Sequence, residues 1–410
     1  MRFDKFFSQL AHRVRASEVR ELLSWAKKRK VISFGGGFPD PDLYPINELA
    51  KIAQDVILEH RDKALQYGTT EGLDELREEL IKFMRRHGIH VASLENIIIT
   101  SGSQQAIDIL SRIFINPGDI VIVEKPTYLA AINAFNLRSP KYYGVPMDDD
   151  GMVMEILESI LEKIKKRGER VKFVYTVPTA QNPTGITMSI DRRRRLIELA
   201  EEYDFLIVED NPYSYILFES VEYEHLKSLD KTGRVIHLST LSKVLVPGLR
   251  IGWVIADEEI TRKMVLTKQS LDICSSTLSQ YIAYEAFKRG LVNKQLKILP
   301  KFYRNKRDLM LKALEKYMPE GTRWVKPVGG MFIFVSLPEV IDTRELLMKA
   351  LDRGVGYIPG DCFFIDGSGR NTMRLNFSYP KAHEIDRGIR ILGELFWEEL
   401  NERHLAKAIA

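Results

Sequence analysis

The sequence has few cysteines, no long apolar run and little net charge. Its 410 residues include two cysteines, Cys274 and Cys362. Two cysteines exclude a disulfide framework and a cysteine-based metal site, and they are typical of a reducing compartment. No apolar run approaches the ~20 residues that a membrane span requires, and charges throughout residues 1–20 argue against a secretion signal. We therefore expect a cytoplasmic protein that does not enter the membrane.

The charge balance argues against nucleic-acid binding. The chain has 60 basic and 56 acidic residues, which gives a net charge of +4. Basic clusters such as Arg192 to Arg195 are mixed with apolar and acidic residues, and this mixing is typical of solvated helix faces. At 45% hydrophobic content, the chain is long enough to bury a sizeable core in two to three domains.

From Asn96 onward, short apolar strands alternate with helical segments, which predicts an α/β layer fold. Several of these strands end in polar or glycine-rich motifs. Because ligands of α/β sheets bind beyond the carboxyl ends of the strands, the motifs predict a ligand site at one sheet edge. The motifs are Ser101-Gly102-Ser103-Gln104, Pro126-Thr127-Tyr128, Asn182-Pro183-Thr184-Gly185 and Asp210-Asn211-Pro212-Tyr213.

Ser103 and Gln104 follow a strand and a glycine turn, at the start of a helix. Such a helix start binds anions through its free backbone N–H groups; alternatively, both side chains only cap the helix. Tyr128 lies beyond the next strand, where an aromatic ring is placed to stack on a flat ligand or to pack in the core. Three glycines, Gly35 to Gly37, allow close approach of a ligand or simply form a loop.

Two charged positions interrupt apolar strands. Asp210 ends four apolar residues and must find a cation, because a buried unpaired carboxylate is costly. Glu209 points to the opposite strand face and has no assigned role. Arg374 lies within Met373 to Ser378, where its guanidinium suits a bidentate carboxylate or a structural ion pair.

Lys243 lies between two apolar strand segments, within the run Ser239 to Arg250. A lysine placed there loses its charge readily, which makes it a Schiff-base former. Thr240, Ser242 and Arg250 supply two hydroxyls and a cation, which are the groups that a phosphate ester requires. A surface loop with an incidental lysine is the alternative for this run taken alone.

This run, with the Asn-Pro-Thr-Gly and Glu-Asp-Asn-Pro-Tyr segments, resembles the class I/II aminotransferases of pyridoxal-phosphate fold type I over nearly the whole chain. The nearest resemblance is to the 2-aminoadipate/kynurenine/aromatic subgroup. It implies a large three-layer αβα domain at 50–300 with a mostly parallel central sheet. It also implies a smaller α/β domain from both chain ends, 1–49 and 301–410.

The resemblance implies pyridoxal 5'-phosphate as cofactor, bound as a Schiff base by Lys243, which also moves the substrate proton. Asp210 would hold the pyridine nitrogen, and Asn182 and Tyr213 the phenolic oxygen. Arg374 would bind the substrate carboxylate, beside Asn182 and Gly37. Tyr128 would stack on the ring, and the phosphate would be bound by Ser103, Gln104, Thr240, Ser242 and Arg250.

Two further residues concern the partner subunit and the substrate. By resemblance, Tyr67 reaches the cofactor phosphate of a second subunit, so that a homodimer shares its active sites. Residues 5–30 show helical spacing, and Arg20 within them matches a residue that meets a distal substrate carboxylate; a surface arginine is the alternative. Leu241 and Ala180 depart from the family pattern and leave 2-aminoadipate, aromatic and aliphatic donors open.

The resemblance implies transfer of an amino group to 2-oxoglutarate. Other enzymes of the same fold, such as β-lyases, use the same lysine, aspartate and arginine and remain an alternative. Transcription regulators with an aminotransferase-like domain need an N-terminal DNA-binding domain, and about 30 residues before Gly35 are too few for one.

Overall fold

The computed structural model describes residues 3–14 and 31–409. Within these ranges no helix combines the length and apolar character needed to cross a bilayer. The strands, in chain order, are β1 Ile32–Ser33, β2 Ile97–Thr100, β3 Ile120–Lys125, β4 Lys141–Asp148, β5 Gly151–Met152, β6 Val171–Thr176, β7 Leu206–Asn211, β8 Val235–Thr240, β9 Gly252–Ile255, β10 Arg323–Trp324, β11 Phe332–Ser336, β12 Val355–Gly356, β13 Ile358–Pro359 and β14 Thr372–Asn376.

Helices precede, follow and connect these strands. In chain order they are α1 Gln9–Arg13, α2 Ile46–Glu59, α3 Arg61–Ala64, α4 Asp74–Arg86, α5 Ser103–Phe114, α6 Leu129–Asn136, α7 Met154–Lys166, α8 Ile190–Tyr203, α9 Leu226–Leu229, α10 Glu258–Asp272, α11 Thr277–Lys288, α12 Leu291–Tyr317, α13 Thr343–Asp352 and α14 Ala382–Ile409.

The central sheet has eight strands in the order β2-β9-β8-β7-β6-β3-β4-β5. Strands β4, β3, β6, β7 and β8 pair in parallel, whereas β9 is antiparallel to both of its neighbours. Successive residues of β3 contribute to different apolar clusters, Val121 and Val123 to one and Ile120 and Ile122 to the other. Because side chains alternate along a strand, both faces of the sheet are covered. The predicted three-layer α/β fold with a mostly parallel sheet is confirmed.

Two smaller sheets connect distant parts of the chain. The antiparallel sheet has the order β10-β11-β14-β13, and β1 pairs in parallel with β12. In the latter pair Ile32 lies beside Val355, so that the segment after residue 30 packs against the C-terminal part of the chain. Strand β14 carries Arg374, which pairs in register with Phe334 of β11.

The helical stretch expected at residues 5–30 is not continuous where it is described. Phe7 and Ser8 are extended, and the Ser8 hydroxyl caps α1 by accepting the Ala11 N–H; residues 15–30 lie outside the described residues. Near the C-terminus, β12 and β13 belong to two different sheets, with the buried Tyr357 between them.

Candidate active site

A cavity of about 1280 Å³ lies beyond the carboxyl ends of the parallel strands. Side chains from the β3, β6, β7 and β8 ends meet there with residues of β11 and β14. The sequence predictions place twelve residues at this cavity, and all of them line it. They are Gly37, Ser103, Gln104, Tyr128, Asn182, Asp210, Tyr213, Thr240, Ser242, Lys243, Arg250 and Arg374.

Lys243 follows β8 in a short 3-10 turn and faces the cavity. Its Nζ donates a hydrogen bond to the Gly37 carbonyl at 2.8 Å. Burial, with help from the nearby Arg374 and Arg250 charges, lowers the pKa of Lys243 to about 8. The shift places the loss of the proton near physiological pH, so a larger fraction of this amine is neutral than of an ordinary lysine, as a nucleophile or proton carrier requires.

Asp210 is buried at the end of β7. Its Oδ2 accepts a hydrogen bond from the Tyr175 hydroxyl at 2.7 Å, whereas Oδ1 has no protein partner. Burial raises the pKa of Asp210 to about 6, although the Tyr175 bond and Lys243 oppose that shift. An orphaned carboxylate oxygen that faces a cavity calls for a ligand donor. Sequence reasoning missed Tyr175, since an aromatic residue inside an apolar strand is typical of the core.

Glu209 lies on the other face of β7, as its position in the strand predicts. Its carboxylate accepts the backbone N–H groups of Leu226 and Lys227 at 2.8 and 3.0 Å and contacts His237 Nδ1 at 2.8 Å. His225 completes a buried group whose side chains are of metal-ligand type. These hydrogen bonds join β7 to β8 and to the start of α9, away from the cavity.

The start of α5 forms one end of the cavity, and this end is suited to bind an anion. Gly102 precedes that helix with φ +80°, and a Cβ there would collide with the Arg250 guanidinium. A Cβ on Gly252 would lie 2.7 Å from the Ser103 backbone nitrogen. Arg250 Nη2 donates to the Ser101 carbonyl at 3.2 Å, which fixes the cation beside the helix start. Free N–H groups and a fixed cation form a site for a phosphate.

The hydroxyl groups at this end are not equivalent. Thr240 Oγ1 donates to the Ile251 carbonyl at 3.0 Å and accepts the Ser242 N–H at 3.1 Å. Thr240 Oγ1 also lies 2.9 Å from Ser242 Oγ. Its hydroxyl group therefore stabilises the turn in this structure, and its role toward a phosphate stays a prediction. Ser242 Oγ lies 3.5 Å from Arg250 Nη1 and faces the cavity. Gln104 Nε2 donates to the Ala130 carbonyl at 3.1 Å.

Arg374 is buried at the opposite end of the cavity. Its Nη1 donates to Asn182 Oδ1 at 2.7 Å and its Nη2 to the Gly35 carbonyl at 2.8 Å, whereas Nε has no partner. The guanidinium lies over the Phe332 and Phe363 rings at 4.2 and 5.0 Å. Burial lowers its pKa to about 10. No carboxylate forms an ion pair with it among the described residues, so the described contacts do not support the structural ion-pair alternative.

Two tyrosines complete the polar lining. Burial and then the Asp210 charge raise the pKa of Tyr128 to about 12. Burial also raises the pKa of Tyr213, although the Asn182 amide opposes that shift through a hydrogen bond. Tyr213 packs edge-on to Phe332 at 6.0 Å. Both phenols therefore stay protonated at neutral pH, and both residues line the cavity.

The remaining site predictions concern Tyr67 and Arg20. Tyr67 is 78% exposed and does not line the cavity of its own chain. Arg20 lies outside the described residues. Leu241 and Ala180 are buried but do not line the cavity, and the choice among donors that they leave open stays undecided. Phe332 and Phe363, which sequence reasoning missed, are the aromatic lining beside Arg374.

Comparisons with known proteins agree with this geometry. A family model described as aminotransferase class I and II matches residues 29–392. Aromatic-amino-acid aminotransferase 1 of Thermococcus litoralis is 47% identical over 98% of this chain and 96% of its own length. The structure of Pyrococcus horikoshii kynurenine aminotransferase, in complex with PMP, is 49% identical, with a TM-score of 0.93 and coverage of 97% and 98%.

A third structure is the alpha-aminoadipate aminotransferase of Thermus thermophilus, complexed with N-(5'-phosphopyridoxyl)-L-leucine. It is 34% identical, with a TM-score of 0.90 over 98% of this chain and 100% of that one. The fold and the site thus define a fold type I enzyme that uses pyridoxal phosphate. The chain belongs to the class I and II aminotransferase family, and the protein is a transaminase.

The residues present fit this cofactor. Asp210 Oδ1 lacks a donor, and a protonated pyridine nitrogen would supply one. The start of α5, which Gly102 and Gly252 keep open beside Arg250, would hold the phosphate, and the Lys243 amine would attach the aldehyde carbon. When bound, the cofactor provides an electron sink for the substrate α-carbon.

Proposed function

We propose that this transaminase moves the amino group of an L-amino acid to 2-oxoglutarate, with Arg374 binding the α-carboxylate and Lys243 moving the α-proton. The donor is 2-aminoadipate, an aromatic or kynurenine-like amino acid, or an aliphatic amino acid. The named relatives support this range, because they act on aromatic amino acids, kynurenine and α-aminoadipate. The apolar rings of Phe332 and Phe363 support it as well, since they suit an apolar side chain.

The observation on which the proposal depends most is the state of Arg374. A buried guanidinium without an anionic partner is costly, and this one keeps its Nε unpaired beside the cavity. A bound carboxylate would supply the missing charge and hydrogen bonds in a bidentate geometry. Arg374 also lowers the pKa of Lys243, so the residue that would bind the substrate also helps to keep the amine neutral.

Each of the other cavity residues would have a separate role, which its position determines. Asp210 would hold the pyridine nitrogen protonated, Tyr213 and Asn182 would bind the phenolic oxygen, and Tyr128 would cover the ring. The Lys243 amine would take the proton from the α-carbon and return it as general base and then general acid. Gly37, whose carbonyl holds Nζ at 2.8 Å, would orient the amine between these steps.

The test is a donor panel with the pyridoxal-phosphate-loaded protein and 2-oxoglutarate, followed by measurement of L-glutamate. We expect turnover with at least one of L-2-aminoadipate, L-kynurenine, L-phenylalanine and L-leucine, at a rate that Arg374→Ala lowers. Glutamate formation without an added donor serves as the blank. Release of pyruvate and a thiol from a cysteine conjugate without any oxo-acid requirement would favour a β-lyase and contradict the proposal.

The working unit that we propose is a homodimer with shared active sites. The exposed Tyr67 ring supports it, because an aromatic residue that is 78% exposed in one chain is ready to contact a partner. Tyr67 would donate to the cofactor phosphate of the second subunit. Residues 50–300 would form the cofactor domain and residues 1–49 and 301–410 the smaller one. We place the enzyme in the cytoplasm, which its low cysteine content supports.

Mixing two inactive variants tests the shared site. Tyr67→Ala and Lys243→Ala homodimers are each expected to be impaired. After subunit exchange, a mixed dimer has one site with both changes and one with neither, so activity should recover toward a quarter of the wild-type value. No recovery, despite exchange verified by mass, would contradict a contribution of Tyr67 across the interface.

A further inference from the structure

Behind the cavity, Glu124 near the end of β3 is a buried carboxylate with no basic partner. It is 1% exposed, and no ion pair involves it in the described part of the chain. It accepts hydrogen bonds from the Thr176 hydroxyl at 2.5 Å, from the Val177 N–H at 3.2 Å and from Gln181 Nε2 at 2.9 Å. These donors belong to the end of β6 and the loop that follows it, so Glu124 joins two neighbouring strand ends.

Gln181 extends this connection. Its Nε2 also donates to the Pro126 carbonyl at 2.9 Å, and its Oε1 accepts the Thr184 N–H at 2.8 Å and the Thr184 hydroxyl at 2.7 Å. The side-chain amide thus makes four hydrogen bonds in a fully buried setting, which is all that an amide can make. Because all of its hydrogen-bonding groups are used, the Gln181 side chain is fixed in one position.

The two loops that this network joins both carry residues of the site. Asn182 directly follows Gln181, and its Oδ1 receives Arg374 Nη1 at 2.7 Å. Tyr128 follows Pro126 on the other loop. A displacement of Gln181 would therefore move the acceptor that orients the Arg374 guanidinium, and it would also change the spacing between Asn182 and Tyr128.

We infer that Glu124 is a positioning residue: through Gln181 it fixes the Asn182 loop and thereby the Arg374 guanidinium that binds the substrate carboxylate. The inference rests on the proposed role of Arg374. Glu124 does not line the cavity, so it acts through its neighbours and not by contact with the substrate.

The geometry of the network predicts which substitution preserves it. Burial raises the pKa of Glu124 to about 7, with the Asp210 charge adding to the shift and the hydrogen bonds of Thr176, Gln181 and Val177 opposing it. A neutral group fits as well, because the Thr176 hydroxyl can accept as well as donate. In Glu124→Gln the amide nitrogen would donate to Thr176 Oγ1, and the oxygen would keep the other two bonds.

The experiment compares Glu124→Ala, Glu124→Gln and Glu124→Asp in the pyridoxal-phosphate-loaded enzyme, with KM and kcat measured for one donor. In Glu124→Ala we expect KM for the amino acid to rise about tenfold and kcat to fall less than about threefold, since a ground-state binding contact is loosened. Glu124→Gln should restore KM to within about twofold of wild type. Glu124→Asp, which is one methylene shorter, should lie between the two.

Folding is checked separately by circular dichroism and thermal melting. If Glu124→Ala does not fold, the test rests on Glu124→Asp. A KM for the amino acid that is higher than in the wild type supports the positioning role of Glu124, and an unchanged KM overturns it. An unchanged KM in a folded Glu124→Ala also overturns it, as does a Glu124→Gln variant that is as impaired as Glu124→Ala. Absence of turnover in the wild type would instead refute the proposed function, so the two failures are distinguishable.

Discussion

Arg193 and Arg374 are two buried arginines in very different surroundings. Burial lowers the pKa of each to about 10, and neither has a carboxylate ion pair among the described residues. Every nitrogen of the Arg193 guanidinium donates a hydrogen bond of 2.7–3.0 Å. The acceptors are the backbone carbonyls of Met188 for Nε, of Glu224 for Nη1 and of Pro178 for Nη2, which also donates to the Thr179 hydroxyl. Arg193 thus stabilises the loop after β6.

Arg374 differs in one respect that matters for function. Its Nε is buried without a partner, and its guanidinium faces the cavity. A buried charge that is satisfied by carbonyl groups is structural, whereas one with an unused donor beside a cavity is available to a ligand. Neither burial nor a lowered pKa distinguishes the structural arginine from the ligand-binding one, because both residues have these properties.

Adjacent residues of β7 show the same contrast. The carboxylate of Glu209 accepts two backbone N–H groups and contacts His237 Nδ1, while Asp210 keeps Oδ1 unpaired at the cavity. Both are fully buried acids from one strand, and the alternation of its side chains sends them to different surroundings. The completeness of hydrogen bonding is again what distinguishes the ligand-binding residue.

Substitution of the two arginines should separate activity from stability. Arg374→Ala should lower kcat/KM by about 10³-fold, because the loss of a buried partner of a carboxylate costs about 3–5 kcal/mol. The free energy of unfolding should change much less. Arg193→Met should instead lower that free energy by about 3 kcal/mol, with kcat/KM of the folded fraction near wild type. Steady-state kinetics and urea unfolding measure the two quantities, and the reverse pattern would contradict the comparison.

The two acids of β7 offer a matched pair. Asp210→Asn should lower kcat by about 10²-fold, since it removes a preorganised charge at the reacting ring. Glu209→Gln should leave kcat within about twofold and lower the melting temperature. If Glu209→Gln lost activity as severely as Asp210→Asn while remaining folded, hydrogen-bond completeness would not identify the functional acid.

Tyr175→Phe should have a smaller effect, through Asp210. The Tyr175 hydrogen bond lowers the pKa of Asp210, so its loss should raise that pKa above about 6. A carboxylate with a higher pKa takes up its proton earlier as the pH falls. Activity that needs the ionised carboxylate should therefore be lost at a less acidic pH than in the wild type. We expect kcat to fall about fivefold and the acid limb of the kcat/KM profile to move upward. An unmoved acid limb would contradict the link.

The pH dependence of cofactor attachment tests the state of Lys243. Its pKa is lowered from 10.5 to about 8, so the neutral amine should be the main form above pH 8. The rate at which the apoprotein attaches pyridoxal phosphate should rise with pH, reach half of its plateau value near pH 8 and level off above that pH. In Arg374→Ala one of the charges that lowers this pKa is lost, and the plateau should move to higher pH. A rate that still rises toward pH 10 in the wild type would refute the lowered pKa.

Much of the cavity could be predicted because it depends on a simple rule. Parallel strands bring their carboxyl ends to one edge, so motifs that follow β3, β6, β7 and β8 had to meet there. What could not be predicted are contacts between distant segments. Lys243 Nζ bonds the Gly37 carbonyl across 206 residues, and Arg374 bonds Asn182 across 192. No local pattern shows such pairs.

Other contacts that the sequence does not reveal have local causes. Tyr175 looks like a core aromatic, since only its hydroxyl reaches Asp210. The hydroxyl of Thr240 lies within hydrogen-bond distance of both the Ile251 carbonyl and Ser242 Oγ. The helical stretch expected at residues 5–30 is interrupted at Phe7 and Ser8, because apolar spacing does not reveal that Ser8 caps a new helix.

The most direct test of the account is borohydride reduction of the protein with pyridoxal phosphate, followed by peptide mapping, with Lys243→Ala beside it. We predict one pyridoxyl group per chain on Lys243 and none elsewhere in the wild type, with no stoichiometric label in Lys243→Ala. Addition of an amino acid donor before reduction should move the label from the protein to the small-molecule fraction. A stoichiometric label on another lysine, or none at Lys243, would contradict the assignment of the active site.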